Sequence, residues 1–171
     1  MLFSSIAFAE DMPITGKVKK ESDNIHTMTS SGVTYLLSTN FKSPQRKLID
    51  AAAKSKAEVT VLGDFDHVGS DPETGMVVVT SEGHKVFTVK KVLKPNASGV
   101  SEGYFQELEC GDSCYLTFTD AKGKNETYYA SGEMPNFDKM ESDKTLKGKQ
   151  IKIYWEKVKK NDRVAVFVVF Q

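Results

Sequence analysis

Few residues of this chain carry chemistry in an arrangement that could use it, and the sharpest arrangement is Cys110-Gly-Asp-Ser-Cys114. A Gly-Asp-Ser turn between strand-like neighbours makes a tight hairpin with the cysteines facing each other across its mouth, so a disulfide is expected. The loop it closes is so short that chain entropy supplies only about 2 kcal/mol; its use is to fix the turn. Reduced buried thiols are the next reading. Redox and metal roles come last, because thioredoxin-like motifs use a two-residue spacer at a helix N-terminus and no histidine lies nearby to complete a zinc site.

The run Asp64-Phe-Asp66-His-Val-Gly69-Ser-Asp71-Pro-Glu73-Thr-Gly75 opens like a calcium loop. Val68 and Gly75 stand where two ligands are needed, so a solvated acidic turn is expected, and no metal or cofactor. His26, His67 and His84 are scattered, which suits surface or hairpin positions better than catalysis. Lipase-type, Walker and zinc-protease signatures are missing from the sequence, and no catalytic residue is assigned.

A binding face is the stronger candidate. If Leu116 and Phe118 point inward, the two-residue period of a strand sends Tyr115 and Thr117 outward. Tyr128 or Tyr129, but not both, joins them, and Tyr128 is assigned to that face. The following loop adds Lys157, Lys159 and Lys160. Tyrosine flanked by lysine stacks a base, a sugar ring or a peptide side chain. Tyrosines also cover sheet faces and lysines solvate loops without binding anything.

These residues need strands to position them. In the first half, Ile14–Lys20, Ile25–Thr29 and Val33–Thr39 read as strands, the last two joined at Ser30-Ser-Gly32. Ser43-Pro44 caps a helix through Lys56, then Glu58–Asp64 forms a strand, and Met76–Thr80 with Lys85–Val92 a further hairpin. In the second half the strands are Tyr104–Cys110, Cys114–Thr119, Glu126–Ser131, Lys149–Glu156 and Arg163–Phe170, with a helical turn or two within 136–146. Ile151, Ile153 and Trp155 alternate inward, while 164–170 is apolar throughout, so both its faces require cover. Leu93–Glu102 has linker composition.

VTYLLST and EVTVL at Val33 and Glu58 are echoed by ETYYAS and QIKIY at Glu126 and Gln150, offset by 93 and 92 positions. The expectation is a mostly β chain of two tandem OB-like five-stranded barrels, each with a short helical insert: residues 10–93 and 103–171, with 94–102 as linker. At Cys114-Tyr-Leu-Thr-Phe-Thr-Asp-Ala-Lys-Gly-Lys124 and Leu146-Lys-Gly-Lys-Gln-Ile-Lys-Ile153 the second half resembles the bacterial periplasmic OB-fold family. That resemblance implies export and a non-enzymatic role in binding or stress tolerance; the two copies and the cysteine pair depart from the family.

Charge and the N-terminus bound the rest. The chain carries 23 basic and 23 acidic residues, and residues 10–94 hold 12 against 11, so neither half has the basic footprint of a nucleic-acid binder. Ala7-Phe-Ala9 before Glu10 looks like the cleavage site of a truncated secretory signal, with 1–9 as its remnant. No stretch approaches the ~20 apolar residues of a membrane span. An exported protein, periplasmic or secreted, that recognises a protein, peptide or envelope glycan is expected; single-stranded nucleic acid is the alternative.

Overall fold

Turn chemistry organises both halves. A computed structural model describes residues 11–40, 42–68, 76–94, 97–159 and 162–171, and the chain divides into two units, 1–95 and 96–171. The Ala7-Phe-Ala9 site with the rest of 1–9, residues 69–75 of the acidic run, Pro95 and Asn96 of the expected linker, and Lys160 lie outside the described residues.

The first unit comprises β1 (Met12–Lys20), β2 (His26–Ser30), β3 (Val33–Ser38), α1 (Pro44–Ser55), β4 (Glu58–Phe65), β5 (His67–Val68), β6 (Met76–Val77) and β7 (Lys85–Val92). Ser31 and Gly32 have φ of 48° and 79°, the left-handed pair that matches the twist of a two-residue hairpin. The Ser43 hydroxyl accepts from the Gln45 N–H at 3.2 Å and Pro44 opens the first turn, starting α1 where expected. Ile49 and Ala52 turn from that helix into a core containing Met28, Val61 and Phe87, all fully buried. Burying a Phe side chain of this kind contributes roughly 2–3 kcal/mol.

Pairings in the order β1-β2-β3-β7-β4 return to β1, closing a five-stranded barrel. The expected hairpin of Met76–Thr80 with Lys85–Val92 forms at its turn end only, where Val79 bridges Lys85 antiparallel and the Val86 N–H donates to the Val78 carbonyl at 2.9 Å. Met76 and Val77 pair with Val68 and His67 in a separate ribbon, and β7 runs between β3 and β4 as the fifth barrel strand. At Gly16 a Cβ would stand 2.1 Å from the Thr29 carbonyl oxygen, so only glycine permits the β1–β2 approach.

The second unit comprises β8 (Ser98–Cys110), β9 (Cys114–Asp120), β10 (Asn125–Ala130), α2 (Phe137–Ser142), a 3-10 turn (Lys144–Leu146), β11 (Gln150–Lys157) and β12 (Arg163–Phe170). Ser98–Glu102, expected in a linker, instead begin β8 and pair with β11; their serines and glycines read as coil, but Gly99 admits a ring and Gly103 a neighbouring strand. The Asp120 carboxylate accepts from the Lys122 and Lys124 N–H groups, both at 2.8 Å, and Gly123 takes φ 79°, setting the β9–β10 turn. Strands pair in the order β8-β9-β10-β12-β11 and back to β8, the β10–β12 junction resting on Tyr129↔Val164 and Ala130↔Ala165. Phe105, Leu116, Phe118, Ile151, Ile153 and Val168 fill the interior.

Both units thus share one strand order, with a parallel pairing between third and last strands. Each carries a bulge at the same place: the register shifts between Leu62 and Gly63, where Lys90 of β7 is the extra residue, and between Tyr154 and Trp155, where Val166 of β12 is. Because that extra residue lies in β12, β11 keeps the inward alternation expected of it: Ile151, Ile153 and Trp155 oppose Phe170, Val168 and Ala165 and pack on one core cluster. Tyr154 is buried against Phe167, with ring centroids 6.0 Å apart, and Trp155 sits half-buried at the core edge. As the unbroken apolar run of β12 requires, Ala165 and Val168 are buried, and so are Val166 and Phe167.

Candidate functional site

The outward face of β9 and β10 is set by hairpin register. Leu116 pairs with Tyr128 and Tyr115 with Tyr129, and directly opposed residues share a face. Tyr128 therefore follows Leu116 inward, which corrects its assignment to the ligand-facing side. Tyr115 and Tyr129 are exposed, their ring centroids 5.0 Å apart at 39°. Thr117, as expected, lies on the same face, its hydroxyl 3.3 Å from that of Thr127. The register was countable from the Asp120–Lys124 turn, and that was the signal for Tyr129.

Cys110 and Cys114 are directly opposed in β8 and β9 and joined by a disulfide immediately before Tyr115. A groove of about 420 Å³ runs from Cys114 past Tyr129 and Val164 to Val158, Lys159 and Asp162. Its far wall is tied by the Val158 N–H donating to the Asp162 carbonyl at 3.1 Å and the Asp162 N–H donating to that of Lys159 at 3.2 Å. Of the lysines expected here, Lys159 reaches the groove; Lys157 is exposed but outside its lining, and Lys160 lies outside the described residues. Hydrogen bonding to Tyr115, then the charges of Tyr115 and Asp162, hold the Tyr129 phenol above its ordinary pKa.

Tyr128 serves the interior. Its hydroxyl accepts from Arg163 Nη1 at 2.6 Å and lies 2.8 Å from Ser101 Oγ, which accepts from Trp155 Nε1 at 3.0 Å. The Arg163 guanidinium stands 4.5 Å from the Trp155 ring centroid and 5.3 Å from that of Tyr128. Gly99 makes room for the indole: a Cβ there would meet Trp155 Cζ2 at 2.4 Å. Arg163 gave no signal in a strand read for its apolar residues.

In the first unit His26 is wholly buried, correcting its surface placement. It is two residues from Met28 on one strand, hence on the core face. Its Nε2 lies 2.9 Å from the Asp50 carboxylate, and Arg46 Nε lies 3.8 Å from the same group. Arg46 Nη2 donates to the Asp23 carbonyl at 2.7 Å. Burial, then the Arg46 charge, push the His26 pKa down against the opposing pull of Asp50. With no exposed atoms the imidazole meets no solute; it fastens α1 to β2.

Of the acidic run, the Asp64 carboxylate accepts from the Phe65 N–H at 2.7 Å and that of Asp66 from the Thr88 hydroxyl. No group of three or more His, Cys, Asp or Glu suited to a metal occurs among the described residues. No helix among them is long and apolar enough to cross a membrane. Comparison with known proteins returns no matching family model, curated protein or solved structure.

Proposed function

We propose that this chain is a tandem pair of OB-like barrels of the bacterial periplasmic OB-fold type, exported, and that it binds an envelope ligand without catalysis. The observation that carries this reading is the exposed Tyr115–Tyr129 pair, 5.0 Å between centroids, at the edge of a groove closed by Lys159 and Asp162. Neighbouring aromatic rings beside hydrogen-bonding groups of both charges suit a sugar ring or a peptide side chain better than a uniformly anionic strand. The disulfide beside Tyr115 would hold the platform in place and suits an oxidising compartment. The shared strand order, parallel junction and bulge position of the two units support duplication.

Capture of envelope glycans by the full chain, immobilised through a terminal tag, tests the proposal. Tyr129→Ala and Tyr115→Ala should each weaken capture about tenfold, the usual worth of a stacking contact, while leaving the far-ultraviolet spectrum unchanged. Undiminished capture by both variants would refute the site. Single-stranded nucleic acid is the second reading, favoured by the same stacked tyrosines; retention on oligo-dT that Tyr129→Ala abolishes would select it.

A further inference from the structure

The first strand and the helix of each unit flank a groove, and the two grooves carry opposite charge at matching positions. In the first unit Lys17 and Lys19 flank buried Val18, two residues before the pair Lys20↔His26 that ends the β1–β2 ladder. In the second, Glu107 and Glu109 flank buried Leu108, two residues before the corresponding pair Cys110↔Cys114. On the helices, Lys54 and Lys56 occupy the penultimate and C-cap positions of α1, where Glu141 and Asp143 occupy those of α2. Four lysines of the first unit thus correspond, position for position, to four carboxylates of the second. Since one strand order tolerates either sign, the barrel itself does not require the lysines.

The basic groove measures about 540 Å³, with Val18 and Ala53 in its floor and Lys20 and Asp50 completing the rim. Lys19 is paired with Glu21 at 2.8 Å and Lys20 with Asp23 at 3.0 Å, while the Asp50 carboxylate lies against His26 and Arg46. Lys17, Lys54 and Lys56 have no ion-pair partner within 4 Å among the described residues, although Glu58 stands across the ladder from Lys17. Lys56 also has φ 54°, where glycine is the unstrained choice. A lysine at that position costs backbone energy, which the favourable interaction of its charge with the helix C-terminus partly offsets.

We infer that this groove binds the phosphate groups of a ligand that carries no base to stack. Its lining holds no aromatic residue, which removes the platform that single-stranded nucleic acid uses. It holds no arginine either. Its cations are therefore point charges, which bind phosphate without the fixed bidentate geometry that an arginine fork imposes. The groove of the second unit, where Glu107, Glu109, Glu141 and Asp143 outnumber Lys144 and Lys147, disfavours the same ligand, so binding centres on the first.

Amide chemical shifts of the full-length isotope-labelled chain, titrated with inorganic tripolyphosphate at low salt, provide the test. Perturbations should map to 17–20 and 53–56, and affinity should fall on the order of fivefold at physiological ionic strength. Lys17→Gln with Lys54→Gln should weaken binding about tenfold. Lys56→Gly should weaken it about threefold while the melting temperature holds or rises, separating loss of a contact from loss of fold. Vesicles containing phosphatidylglycerol, against phosphatidylcholine alone, distinguish a lipid source of phosphate from a soluble one. Unchanged affinity in these variants, or perturbations centred elsewhere, overturns the inference. So does low-salt self-association abolished by Glu107→Lys with Glu109→Lys, because the occupant is then a second copy.

Discussion

Tyr128→Phe removes one oxygen from a buried cluster and should cost far more than the same change one residue later. The lost hydroxyl accepts from Arg163 Nη1 at 2.6 Å and shares a hydrogen bond with Ser101 at 2.8 Å. A charge-assisted bond contributes roughly 1.5–3 kcal/mol and a neutral one about 1 kcal/mol. Ser101 keeps its bond from Trp155, and the half-exposed Arg163 recovers some hydration, so a net loss of about 2–3 kcal/mol is expected. For a unit of this size each kcal/mol lowers Tm by about 4–8 °C, which places the shift on the order of 10–20 °C. Trp155 is the chain's one tryptophan and lies beside this cluster, so its fluorescence follows the second unit alone. Tyr129→Phe, on the exposed face, should remain within about 0.5 kcal/mol of wild type. A cycle with Arg163→Met should return a coupling of about 1.5 kcal/mol or more. Equal melting of the two phenylalanine variants would refute the inward assignment of Tyr128 and the register behind it.

Two further outcomes concern single residues. Because the His26 pKa is lowered in the folded state, the unfolded chain binds the proton more readily. Stability of the first unit should therefore be fully present above about pH 6.5 and decline as pH falls below it, towards the depressed folded value. Amide exchange in β2 between pH 7 and 5 should show this slope, and His26→Gln should flatten it; an identical slope in the variant would assign the effect to other groups. Gly99→Ala should force the Trp155 ring off the β8 backbone at a cost of about 1–3 kcal/mol, read as a shifted emission maximum and a lower urea midpoint. An unaltered emission spectrum would contradict the packing described.

The strands were legible where local chemistry fixes them. Ser31-Gly32, Ser43-Pro44 and Asp120 through Gly123 each force one backbone conformation, and the apolar run 164–170 marked all of β12 but its first residue, Arg163. Less legible were choices decided by distant partners. Lys85–Thr88 pair with β3, about fifty residues upstream, beyond the local Val79–Lys85 hairpin contact, and no short-range pattern announces that second partner. Ser98–Glu102 carry little apolar content because their strand is held by β11, not by a hydrophobic face of its own. Of the candidate site, Tyr115 and Thr117 followed from alternation alone, while Tyr129 needed the hairpin count. Val158 and Asp162 needed the loop to fold back on itself, which charge and hydropathy do not encode.

The junction of β10 with β12 has two residue pairs, where the matching junction of the first unit has four. A barrel built from staves parts first along its least-stitched seam. Here the seam runs through Tyr129 and Val164, which also line the groove. A guest lodged between Tyr129 on one stave and Lys159 on the loop beside the other is a rivet across it. By linkage, tight occupancy and a closed seam are one free energy seen from two sides, so such a guest would stiffen the amides from Tyr129 to Ser131 as it binds. The first unit, sewn along twice the length, has no comparable give.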